Sequence, residues 1–176
     1  MSSSADSIVF YEDVFEPAFC RHLLKDARGS LTEGRTFTRS NFQWKERVVR
    51  SSMPVLVRDY GAAEAALILA QLVKKGLIEN DDYHVMNYAW TRLSYIPWHS
   101  DGSKDVAVTI YLNDEWPKDW GGIFLYVDEG SELRGRFPAF NSGLKNSANL
   151  LHATTPVALD AAEPRYTVQL FSGRRS

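Results

Sequence analysis

One of the four histidines of this 176-residue chain stands two positions from an aspartate: His99 and Asp101, in WHSDGS. In an extended chain, side chains at i and i+2 point to the same side, so the pair can converge on one ion if the loop is held nearly straight. The apolar run AVTIYL that follows is a strand able to fix it. His152, in ANLLHATTPV, offers a second nitrogen from another strand. Two imidazoles and a carboxylate leave three positions open on an octahedral ion, the donor set of non-haem ferrous oxygen chemistry. Zinc accepts the same ligands. The competing readings are an exposed loop histidine beside an Asp101-Gly102 turn, and a satisfied core histidine at 152. His84 alternates with Val85 on an expected strand and is set apart from the metal set, and His22 reads as a helix residue at or near the surface.

An open ferrous site needs a co-substrate to supply electrons. If that co-substrate is an acid buried among strands, it needs a cation, preferably a planar bidentate one. Arg165 opens the last apolar strand, RYTVQLF, and Tyr111, in TIYLND, can add a hydroxyl to the same carboxylate. Their alternatives are a strand-start arginine in solvent and an aromatic core residue. Trp90, Arg92, Tyr95 and Trp98 closely precede the first ligand, and Trp116 and Trp120 lie in the following loop. Aromatics with an arginine can hold a ring, a peptide or an amino-acid carboxylate, or can pack as core and rim.

The elements that must carry these residues follow from pattern. SIVFYED reads as a first strand with Ile8 and Phe10 on one face. Asp13 looks like a helix start with Pro17 in the first turn, and AFCRHLLKDA makes a stripe of Phe19, Leu23 and Leu24 ending near Gly29. Residues 30–53 read as a pair of strands or a long loop. A second helix is expected from Val55 to Lys75, broken at Gly61 if anywhere, with Gly76 as its cap. From about Asp82, β-branched and aromatic runs alternate with turn residues, implying an α+β chain whose second half is a sandwich or barrel.

Composition is that of an ordinary globular protein, 44% hydrophobic and 24% charged, and the length suits one domain over 1–176. A net charge of −2 offers no broad basic field to nucleic acid or an acidic membrane. Arg47, Arg50 and Arg58 are a local exception, read as a solvated face or an anion contact. The single cysteine, Cys20, rules out an internal disulfide and reads as a buried thiol. MSSSADS has no features of a signal peptide, and AAEAALILAQLV is too short to span a bilayer, so the expectation is a cytoplasmic protein. Oligomeric state is left open.

In this order, HSDGS, TIYLNDEW, WGGIFLY, LLHATTPV and RYTVQLF resemble the 2-oxoglutarate- and Fe(II)-dependent oxygenases, specifically their prolyl-4-hydroxylase-like branch, over roughly residues 83–172. The resemblance implies a double-stranded β-helix (jelly-roll) core over residues 81–176, with N-terminal helices and a variable support region in 1–80. It implies Fe(II) on His99, Asp101 and His152, with O2 as the oxidant. It places the distal carboxylate of 2-oxoglutarate on Arg165 and Tyr111, with Asn87 and Tyr88 as further co-substrate contacts. An intact Asp101 points to hydroxylation rather than halogenation. The segment ALDAAEP lengthens the interval between His152 and Arg165. The substrate expected is a small molecule such as an amino acid or natural-product intermediate, held by Arg92, Tyr95, Trp98 and Trp90; a prolyl or other residue of a peptide or protein is the alternative. A non-enzymatic jelly roll that binds a ligand, and a cupin-type metal enzyme without 2-oxoglutarate, are the rivals from other classes.

Overall fold

The computed structural model describes residues 8–33, 37–40, 42–44, 47–49, 55–80, 82–102 and 106–172, the side chains of 39–49 excepted. In chain order the elements are β1 (Ile8–Tyr11), α1 (Pro17–Thr32), β2 (Thr38–Ser40), β3 (Phe42–Trp44), β4 (Arg47–Val49), β5 (Val55–Asp59), α2 (Ala62–Lys75), β6 (Tyr83–Trp90), β7 (Ile96–His99), β8 (Val106–Tyr111), β9 (Phe124–Val127), β10 (Leu133–Arg136), β11 (Gly143–Ser147), β12 (His152–Thr154) and β13 (Arg165–Ser172). A seven-stranded sheet runs β1-β11-β8-β13-β6-β5-β2 and a four-stranded sheet β10-β9-β12-β7; β3 and β4 pair separately. The pairings are antiparallel, and the architecture is the expected double-stranded β-helix with two helices. No helix among the described residues is long and apolar enough to cross a membrane.

Alternation along β13 explains how the large sheet is used. Tyr166, Val168 and Leu170 point outward, where α1 and α2 cover them with Cys20, Leu23, Leu24, Ile68 and Leu72. Burying each of these leucines contributes about 1.5–3 kcal/mol. Arg165, Thr167 and Gln169 point the other way, into the space between the sheets, and all three are buried. The paired strands continue the pattern: Trp90, Tyr88, Met86 and His84 of β6 stand opposite Arg165, Thr167, Gln169 and Phe171.

Three expectations need correction. Val55–Asp59 is a strand, not the start of a helix, because its β-branched alternation finds an open partner in β6. Gly61, extended at ψ 153°, then caps α2. The first helix begins at Pro17 rather than at Asp13, and runs on to Thr32, past Gly29. Val14 and Phe15 are held outside it by Asn141, which accepts the Phe15 N–H on Oδ1 (2.9 Å) while its backbone carbonyl takes Val14 N–H (3.0 Å). Finally, residues before 80 are more than helical support, since β1 and β5 are strands of the main sheet. Residues 30–53 contain strands, β2 and the β3–β4 pair, as one of the two readings had it. Of the arginine group, Arg58 is not a solvated residue: it pairs with Asp26 and its side chain is 11% exposed. The Arg47 side chain and Arg50 lie outside the described residues.

Candidate active site

β7 contains the irregularity that aims His99. On β12, His152 and Thr154 are two residues apart, yet their partners on β7, His99 and Ile96, are three apart. This bulge lets Ile96 pack inside the barrel while His99 also faces inward. Pro97, which has no ladder donor to lose, sits within it. Its carbonyl lies 2.8 Å from His99 Nδ1, and the Leu150 carbonyl lies 2.8 Å from His152 Nδ1. A carbonyl only accepts, so both rings carry their proton on Nδ1 and present the Nε2 lone pair.

Those Nε2 atoms point at one carboxylate. His99 Nε2 lies 3.8 Å from Asp101 Oδ1, and His152 Nε2 lies 3.9 Å from Asp101 Oδ2. The three ligand atoms are all within 4.8 Å of one another. Asn146 Nδ2 donates to Asp101 Oδ2 at 3.3 Å, and Phe124 stacks on the His152 ring at 5.2 Å. Burial and the neighbouring His152 push the His99 pKa down to about 4, so the ring is neutral at physiological pH, as a metal ligand must be. His84 does not join the group; it bonds Asp59 at 2.8 Å.

Arg165 is the other unusual group. It is 2% exposed, and among the described residues no acid pairs with it. Its guanidinium carbon lies 4.4 Å from the Trp90 ring centre and 5.6 Å from that of Tyr111. One terminal nitrogen donates to the Gly122 carbonyl, and Nε has no partner. Burial pulls its pKa down to about 10, and the group stays charged at neutral pH. A buried, unpaired guanidinium costs several kcal/mol, which an acidic ligand would offset. Burial raises the Tyr111 pKa and keeps its hydroxyl protonated, as a donor beside that cation.

Two further groups hold the arginine in place. A Cβ on Gly122 would come within 3.1 Å of Arg165 Cδ, and Gly122 has φ +65°, so glycine is needed there on both counts. Asn113, 3% exposed, donates from Nδ2 to the Pro164 carbonyl (3.0 Å) and accepts the Tyr166 N–H on Oδ1 (2.7 Å). It thereby clamps the backbone on both sides of Arg165. Asn113 and Asn146 were missed by sequence reasoning; Asn113 ends TIYLN, but nothing in its spacing marks it.

The chamber is built from the remaining candidates selectively. Tyr88 faces inward from β6 and feels Asp101, but Asn87 does not share that face. Alternation turns Asn87 toward the helices, where its Nδ2 bonds the Tyr60 hydroxyl (3.2 Å) and the Thr167 carbonyl (3.3 Å). Trp90 is a floor beneath Arg165, buried, with Nε1 donating to Thr167 Oγ1 (3.2 Å). Arg92 and Tyr95 follow β6 at the Arg165 end; Arg92 Nε is tied to the Ala161 carbonyl at 2.9 Å. Trp98 alternates outward from His99 and is 46% exposed. Of these four, Trp90 is seated against Arg165.

The described donors fit an Fe(II) site with nitrogen and oxygen ligands on one side, and Arg165 fits an acid. A family model described as the 2OG-Fe(II) oxygenase superfamily matches residues 83–173, just over half of the chain. No curated protein sequence matches. A prolyl-4-hydroxylase from Pseudomonas putida superposes with a TM-score of 0.74 at 14% identity, covering 96% of this chain and 94% of that one. A Trichoplax adhaerens prolyl hydroxylase, solved with a hypoxia inducible factor peptide fragment, gives 0.73 at 17%, covering 94% and 83%. The alpha ketoglutarate dependent epimerase SnoN, from nogalamycin biosynthesis, gives 0.62 at 11%, covering 95% and 78%. At these identities the structures speak to the fold, and the match over residues 83–173 speaks to the family: the chain belongs to the 2OG-Fe(II) oxygenase superfamily, enzymes that use Fe(II), 2-oxoglutarate and O2.

Proposed function

We propose that this dioxygenase oxidises a C–H bond of a small molecule, such as an amino acid or a natural-product intermediate, most simply by hydroxylation. His99, Asp101 and His152 hold Fe(II), and Arg165 with Tyr111 holds the distal carboxylate of 2-oxoglutarate. The carrying observation is the buried, acid-free Arg165 guanidinium in the same chamber as three converging ligand atoms. A cupin-type metal enzyme or a simple binding jelly roll gives that cation nothing to do.

Bound iron supplies the oxidising chemistry, with 2-oxoglutarate leaving as succinate and carbon dioxide. The chain supplies position and exclusion of water. Both imidazoles are locked by backbone carbonyls in the ligating tautomer, and Asn146 steadies the carboxylate. Trp90 and Tyr111 flank the guanidinium, so a carboxylate is met by a cation already in place. The ligand side chains are 7–10% exposed, a recess between sheets that suits a compact substrate.

Peptide hydroxylation is a second reading, favoured because two of the structural relatives are prolyl hydroxylases and one was solved with a peptide. Anaerobic addition of Fe(II) and 2-oxoglutarate should produce the weak visible charge-transfer band of the chelate. Iron bound without that band would sink the co-substrate assignment. Succinate release across free amino acids, natural-product scaffolds and prolyl peptides then separates the readings, and stimulation by peptides alone would overturn the small-molecule one.

A further inference from the structure

Antiparallel register lays a single cross-strand row along the floor of the chamber. Asn146, which holds Asp101, is opposite Ala107; Ala107 is opposite Phe171; Phe171 is opposite His84. All four side chains are on the inner face. His84 therefore stands level with the metal ligands' anchor, three strands away, about 14 Å across the sheet. Asp59 is opposite Met86, one inward-facing step deeper on the next strand, and bonds His84 Nε2 at 2.8 Å.

The pair is open where most of the inner face is closed. Asp59 is 70% exposed and His84 42%, while Met86 and Tyr88 beside them are buried. Burial, with smaller contributions from the charges of Asp101 and Asp59, keeps the Tyr88 hydroxyl protonated. A thioether, two aromatic rings and one oriented carboxylate, facing a metal site across a floor three to four strands wide, suit a cation at the far end of an extended aliphatic chain.

Resting on the small-molecule reading above, we propose that Asp59, oriented by His84, receives a positively charged amino group of the substrate while the carbon to be oxidised lies at the metal ligands. The substrate class is a free amine or basic amino compound long enough to span Phe171. A plain surface ion pair between neighbouring strands predicts no such selectivity.

The test uses the full chain loaded anaerobically with Fe(II) and 2-oxoglutarate. Graded amines (lysine, agmatine, spermidine, spermine) and their N-acetylated forms are titrated calorimetrically, then assayed for succinate release in air. At least one amine should bind, and acetylation or Asp59→Asn should weaken it about tenfold, the loss of a charge-assisted hydrogen bond. Asp59→Lys should turn the preference toward acids, a gain that misfolding cannot imitate. Equal binding of acetylated and free amines, unchanged selectivity in Asp59→Lys, or no amine binding to a protein that does bind 2-oxoglutarate each overturns the proposal. Failure to bind 2-oxoglutarate at all removes the underlying functional reading instead.

Discussion

β6, β8 and β13 present two faces that are equally buried and chemically opposite. Outward, Val85, Ala89, Val108, Ile110, Val168 and Leu170 meet the helices as an apolar layer in which Asn87 is a buried polar exception. Inward, the same strands carry Tyr88, Trp90, Thr109, Tyr111, Arg165, Thr167 and Gln169, joined by side-chain hydrogen bonds such as Thr109 to Gln169 (2.9 Å). Burial of polar groups costs free energy unless each is paired, so a polar inner face is a poor way to build a core. The outer face is where the fold gets its stability, and the inner face is where stability is given up for a site. Substitutions on the two faces should therefore separate folding from chemistry.

The largest effect is expected from the ligands. Asp101→Ala or His99→Ala should remove iron-dependent succinate formation while the melting temperature of the metal-free protein is held near that of the parent; normal succinate output from either variant refutes the ligand set. Next comes Arg165→Ala, which should weaken 2-oxoglutarate by about a hundredfold or more, as truncating one member of a buried charge pair does. Iron affinity should be spared, and a variant that binds the acid normally would place the anchor elsewhere. On the opposite face, Leu170→Ala should cost about 2–5 kcal/mol of stability by denaturant titration, with 2-oxoglutarate affinity of the folded protein kept. If Arg165→Ala and Leu170→Ala give the same signature, the separation of faces fails.

The legibility of the sequence follows the same division. Residues with distinctive side chains in ordered segments were readable as a group: His99, Asp101 and His152 converge, and Arg165 is buried beside Tyr111. The side of a strand was not. Asn87 and Tyr88 differ by one position and face opposite layers, and the alternation that decides between them is set by pairing with β13, not by local composition. Trp98 precedes His99 directly and still stands 46% exposed, because neighbouring residues of a strand face opposite sides. Val55–Asp59 was drawn into a helix because its partner, β6, lies beyond α2. Gly122 entered only as part of WGGIFLY, and its place as the cradle of Arg165 depends on a strand 43 residues further on.

Asn113 tests whether support from the backbone matters to the inner face. Asn113→Ala frees the Pro164 carbonyl and the Tyr166 N–H on either side of Arg165 and should raise the dissociation constant for 2-oxoglutarate about tenfold, within the range for removing a partner that orients a ligating group. Asn113→Asp keeps the acceptor for Tyr166 but not the donor to Pro164, and should fall between parent and alanine variant. Iron affinity is the control. An equal loss of iron and acid would mean that Asn113 supports the fold and not the anchor.

The smallest effect concerns the outer layer alone. Cys20 is fully buried among the helix–sheet contacts, and burial pushes its pKa up to about 12. A thiol reagent at pH 8 should therefore modify it only as fast as that layer opens. Leu170→Ala should speed the labelling by the factor expected from its lost stability, provided reclosing is fast. Arg165→Ala should leave the rate within about twofold of the parent, because the guanidinium contributes to binding and is otherwise an uncompensated charge. Labelling that accelerates equally in both variants would mean that the two faces of the sheet open as one unit, and that the chamber cannot be altered without loosening the core behind it.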